Sequence, residues 1–113
     1  MTERTAYRII EVKRNLPHTL FHGISGQRAI PVGTWVKADK KMVRDGTGPW
    51  YLSGFNVLTD LDDCLEYVQR FKAPRELRVV EIMVRGELRE KRHSRSNVLL
   101  ADEMRLEWPQ VGW

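Results

Sequence analysis

The sequence predicts an α+β fold, a twisted and mostly antiparallel sheet with one helix packed across it. Three observations carry this expectation. Runs rich in β-formers outnumber helical ones, the connections between them are short, and only Asp60 to Phe71 sets apolar residues at helical spacing. A chain of 113 residues has room for one hydrophobic core, which implies a single domain over 1–113.

Ala6 to Lys13 (AYRIIEVK) reads as a strand ended by Asn15 and Pro17, and Thr19 to Ile24 (TLFHGI) as a short second strand. Ser25 to Gly33 contains Gly26, Pro31 and Gly33 and reads as a loop. Thr34 to Val43 (TWVKADKKMV) fits an edge strand by its charges and a short helix by its Ala and Lys content. After the turn-rich stretch Asp45 to Pro49, Trp50 to Leu58 (WYLSGFNVL) reads as a strand with Gly54 as a bulge or bend.

The helix is the clearest element. Leu61, Cys64, Leu65, Val68 and Phe71 form one apolar face. Asp60 is placed to cap the first N–H groups, Asp62 and Asp63 suit the positive end of the dipole, and Arg70 and Lys72 suit the other end before Pro74 stops it. Leu77 to Arg85 (LRVVEIMVR) reads as a central strand, with Val80, Ile82 and Val84 on one face and Val79, Glu81 and Met83 on the other. Gly86 bends the chain and Lys91 to Ser96 (KRHSRS) forms a basic loop. Val98 to Ala101 and Glu103 to Trp108 finish the sheet, with Met104, Leu106 and Trp108 alternating with Glu103, Arg105 and Glu107.

Composition narrows the class of protein. Hydrophobic residues at 42% and charged residues at 30% are those of a globular domain and not of a disordered chain. The single cysteine, Cys64, excludes an internal disulfide and gives no zinc framework. The start carries no signal-peptide core, and no run approaches the roughly 20 apolar residues that span a bilayer, so a cytoplasmic location and no membrane partner are expected. The formal charge is +4, and Arg70 to Arg95 alone sets nine basic residues against four acids. Lys37, Lys40, Lys41 and Arg44 form a second basic group. Such clustering suits nucleic acid, a nucleotide or an acidic protein, and equally a solvated surface.

Phosphate-binding, dinucleotide-binding and hydrolase motifs are absent, and His18, His22, His93 and Cys64 have no metal-ligand spacing, so no metal is expected. Four segments have chemical potential. His22 shares a strand face with Leu20 and Ile24, as either a histidine satisfied by a carbonyl or a polar group at a cleft floor beside Gly23. Glu81 lies in the most apolar strand, which calls for an ion pair or a pocket. Trp50, Tyr51 and Phe55 surround a glycine, as core or as a stacking platform. The loop Lys91 to Ser96 offers charges and hydroxyls to phosphate oxygens, or is ordinary surface.

Taken in order, Leu20-Phe21-His22-Gly23, Trp50-Tyr51-Leu52, the following helix and Asp102-Glu103-Met104-Arg105-Leu106 resemble the pattern of ADP-ribosyltransferases of the His-Tyr-Glu type. That resemblance implies NAD as cofactor, with His22 on its ribose, Tyr51 stacked on nicotinamide and Glu103 as the catalytic glutamate. The whole chain is also similar to small phage and bacterial proteins of unassigned function, with a similar run through YLSGFNVL, which implies a role in phage–host or mobile-element biology.

The leading expectation is a binding protein without cofactor that engages nucleic acid or an acidic protein surface. Arg85, Arg89, Lys91, Arg92 and Arg95 are the main expected contacts, and Lys37, Lys40 and Lys41 the second group. The alternative is the NAD-dependent transferase using His22, Tyr51 and Glu103.

Overall fold

Pairing with a nine-residue partner carries the first strand back past the β-formers of Ala6 to Lys13. In the computed structural model, which describes residues 2–20, 27–44, 46–71, 76–91 and 97–110, the first strand, β1, runs Glu3–Lys13. Arg14 and Asn15 follow with φ of 53° and 63°, the paired left-handed conformations that close a tight hairpin. The hairpin leads into β2, Leu16–His18, whose register pairs Glu11 with His18 and Lys13 with Leu16. The second strand therefore begins three residues before Thr19, and Pro17 lies inside it, as an edge strand allows. The rest of the expected strand, Phe21 to Ile24 with His22, lies outside the described residues.

Leu77–Arg85 forms β7, paired with β1 from Glu3↔Arg85 to Glu11↔Leu77. Its other neighbour is β10, Glu103–Arg105, which in turn pairs with β3, Trp35–Lys37. The order β2-β1-β7-β10-β3 gives Leu77–Arg85 the central place that its apolar content predicts. Two smaller sheets complete the fold: β4, Met42–Val43, with β5, Tyr51–Leu52, and β6, Phe55–Val57, with β9, Leu99–Ala101, and β8, Arg89–Glu90. Every strand pair among the described residues is antiparallel.

Two segments expected to be continuous are divided. Thr34 to Val43 is neither one edge strand nor a helix. It breaks after Lys37, where the Ser53 hydroxyl donates to the Asp39 carbonyl and accepts the Lys41 N–H, pinning a turn. Trp50 to Leu58 breaks at Ser53–Gly54 and passes from the two-stranded to the three-stranded sheet. Gly54 permits this crossing, because a Cβ there would lie 3.0 Å from the Ala101 carbonyl oxygen and 3.0 Å from Arg89 Nη2. Likewise Leu99–Ala101 and Glu103–Arg105 belong to different sheets, with Asp102 at the corner.

The helix α1, Leu61–Val68, is capped by Asp60, whose carboxylate accepts the Asp63 N–H at 3.0 Å. Cys64 is fully buried, and Leu61, Tyr67, Val68 and Phe71 pack with it against Ile9, Leu58, Val79 and Val98. Leu65 is not on that face. It is 36% exposed, because the edge-to-face rings of Tyr67 and Phe71, 5.2 Å apart, set the contact line one position round from it. A second core lies on the opposite side of the large sheet, where Ala6, Ile10, Val80, Ile82 and Met104 meet Phe55, Val57 and Ala101.

Glu81 takes neither expected role. It lies on the helix-side face of β7, past the region that α1 covers, and is exposed. Its N–H donates to Gln110 Oε1 at 3.0 Å, and its carbonyl accepts from Gln110 Nε2 at 2.6 Å. Among the described residues no helix is long and apolar enough to cross a membrane.

Candidate anion-binding cleft

On β1 the core face carries Ala6, Ile10 and Val12, and Arg8 occupies the position between Ala6 and Ile10. Alternation therefore drives a guanidinium into the interior, where it is 9% exposed. Arg8 Nη1 donates to the Asn56 carbonyl at 3.0 Å, and the guanidinium lies 5.4 Å from the centre of the Phe55 ring. Arg8 Nε is buried without a hydrogen-bond partner, and no carboxylate pairs with the group among the described residues. Burial pushes its pKa down to about 10, which still leaves it charged at neutral pH.

Arg8 borders a cavity of about 500 Å³. Strand pairing leaves space for it: β2 covers β1 only from Glu11 to Lys13, while the Tyr7–Leu58 bridge brings the end of β6 across the uncovered edge. The apolar wall is Ile9, Leu20 and Leu58 with Tyr67 and Phe71 from the helix end. The polar wall is Asn56, Arg44 and Lys91, and Gly46 and Gly54 complete the described lining. Arg44 follows β4 and lies 5.3 Å from the Trp50 ring centre, and Lys91 follows β8 with its Nζ 5.3 Å from the Tyr51 ring centre. Three cations and no carboxylate face this space from the described residues. Buried cations are ordinarily paired, so an unpaired one at a cavity wall sets up a favourable potential for an anion.

The residues nominated from sequence are dispersed. Lys91 lines the cavity, while Arg92 and Arg95 lie outside the described residues, as does His22. Arg85 Nη2 pairs with Glu103 at 3.1 Å and its guanidinium covers the Trp35 ring at 4.2 Å. Arg89 pairs with Asp102 at 2.8 Å and donates to the carbonyls of Leu52 and Ser53, both at 3.1 Å. Lys40 reaches the other oxygen of Asp102 at 3.0 Å. These contacts engage Arg85, Arg89 and Lys40 within the fold, whereas Lys37 and Lys41 are exposed. Tyr51 is half-buried on β5 and Glu103 lies on β10, and neither is in the cavity's described lining.

The acidic partners are tuned by the same contacts. The hydrogen bond from Arg85 holds the Glu103 carboxyl below the usual range against some desolvation. For Asp102, desolvation pulls upward, but the bonds from Lys40 and Arg89 outweigh it and the net shift is downward. Among the described residues no group of His, Cys, Asp and Glu is arranged to hold a metal ion.

No family model, curated protein or solved structure matches this chain, so the cleft carries the functional argument by itself. Sequence reasoning passed over Arg8, although the signal was present. A charged residue between Ala6 and Ile10, on the core face of its strand, poses the same question as Glu81, and here the side chain is the buried one.

Proposed function

We propose that this protein is a binding module that receives the anionic group of its partner in the cleft built on Arg8. One observation carries the reading: a buried guanidinium with an unpartnered Nε and no described carboxylate borders a cavity with two further cations in its wall. A planar, desolvated guanidinium matches the paired oxygens of a carboxylate, phosphate or sulfonate. The excess of four positive charges over the whole chain adds attraction of the same sign at long range. A cavity of this size admits a compact ligand, or the end of a larger partner such as a nucleic-acid strand or an acidic protein.

The transferase alternative would place NAD among His22, Tyr51 and Glu103. Glu103 is engaged by Arg85, and the described wall of the cavity contains neither Glu103 nor Tyr51, so binding is the better-supported function.

The test uses 8-anilinonaphthalene-1-sulfonate, which joins a fixed anion to aromatic rings. Wild type should bind it at one saturable site that sulfate displaces, and Arg8→Met should lose at least tenfold in affinity. Binding to Arg8→Met at wild-type strength would remove Arg8 from the site, because methionine keeps the apolar surface and deletes only the charge and donors.

A further inference from the structure

Resting on that reading, we infer that the group seated at Arg8 is the phosphate monoester of a nucleotide, with its base against the apolar wall. The charge at the site is the first argument. Arg8, Arg44 and Lys91 all contribute to the cavity wall, a set of cationic side chains that suits a doubly charged group. A phosphate monoester carries close to two charges at neutral pH, whereas a carboxylate or a phosphodiester carries one.

The apolar lining is the second argument. Tyr67 and Phe71 form an edge-to-face pair there beside Leu58 and Ile9, a surface suited to a flat aromatic body. Asn56, in the polar part of the lining, offers an amide, whose adjacent donor and acceptor can read the edge of a base. Size is the third. About 500 Å³ lies within the range of small-ligand sites, roughly 300–1,000 Å³, and encloses one nucleotide, not a duplex. The chemistry is the same whether the phosphate belongs to a free nucleotide or to the end of a strand.

Calorimetric titration of the full chain decides it, with adenosine 5′-monophosphate, adenosine, cyclic 3′,5′-AMP and a pentanucleotide with and without a 5′-phosphate. The monophosphate should bind at least tenfold more tightly than adenosine or the cyclic diester. The double variant Arg44→Gln/Lys91→Gln should narrow the gap between monophosphate and cyclic diester. A phosphorylated pentanucleotide that binds while the free monophosphate is at least tenfold weaker identifies a strand end as the source, and the reverse identifies the free nucleotide. If neither phosphorylated probe binds, or if adenosine equals the monophosphate, the inference is wrong. Arg8-dependent binding of the naphthalene sulfonate would in that case leave the anion-binding reading standing, and its loss would end both.

Discussion

Replacing Arg8 by methionine should leave the unliganded protein about as stable as wild type. The fall of the Arg8 pKa from its ordinary value to about 10, at 1.36 kcal/mol per pH unit, corresponds to about 3 kcal/mol of desolvation cost. Against this stand one charged hydrogen bond to the Asn56 carbonyl and the contact with the Phe55 ring, together worth about 3 kcal/mol. Methionine retains the length and flexibility of the apolar stem, so the two sides nearly cancel. For a domain of 113 residues the melting temperature should stay within about 4 °C of wild type. Urea unfolding and calorimetry on both proteins measure it, while the naphthalene sulfonate titration shows whether binding is lost in the same variant. A stability loss of 2 kcal/mol or more would refute the reasoning, since Arg8 would then be a strut of the fold and not a group held unpaired for a ligand.

The other expectations concern the frame around the cleft. Leu65→Ala should cost less than about 1 kcal/mol, and Leu100→Ala about 2–5 kcal/mol, because Leu65 is 36% exposed and Leu100 only 2%; denaturant midpoints compare them. Gly54→Ala should lose about 1–3 kcal/mol in the same assay, since the added methyl would meet the Ala101 backbone. The carboxyls of Asp102 and Glu103 have lowered pKa values in the fold, so their stabilisation is full above the unfolded carboxylate range and disappears as pH falls through the lower folded values. Asp102→Asn should therefore cost about 1–2 kcal/mol at pH 7 and flatten the acid limb of a plot of melting temperature against pH.

Elements with a strong period were legible in the sequence. The central strand Leu77–Arg85 and the Asp60-capped helix follow from alternation and capping, which act locally. Where the chain changes sheets, local pattern fails. Ser53–Gly54 and Asp102 are corners set by what crosses them, and a run such as WYLSGFNVL has the same β propensity on both sides of the break. Leu65 shows the limit of counting a helical face, because the bulk of Tyr67 and Phe71 decides which side meets the sheet. The clustered charge of Arg85 and Arg89 is visible in the sequence, but its use depends on partners such as Glu103 and Asp102 that only the fold brings near. Arg8 is the converse case, a charge on the core face of its strand whose meaning comes from the cavity beside it.

The pairing of β1 with β7 has a consequence during synthesis. Glu3 to Glu11 emerge from the ribosome well before their partners Leu77 to Arg85, and at roughly 5–20 residues per second the delay is roughly 4–15 seconds. In that interval the Arg14–Asn15 hairpin covers no more than Glu11 to Lys13, and the bridge to Leu58 reaches the strand only at Tyr7. Ile9 and Ile10 are left on an unpaired edge, the kind of segment that associates with other chains. Arg8, directly beside them, places a charge within that stretch, and a charge so placed opposes such association. An Arg8→Met protein should accordingly be recovered in lower soluble yield from a translating system than by refolding from urea at low concentration.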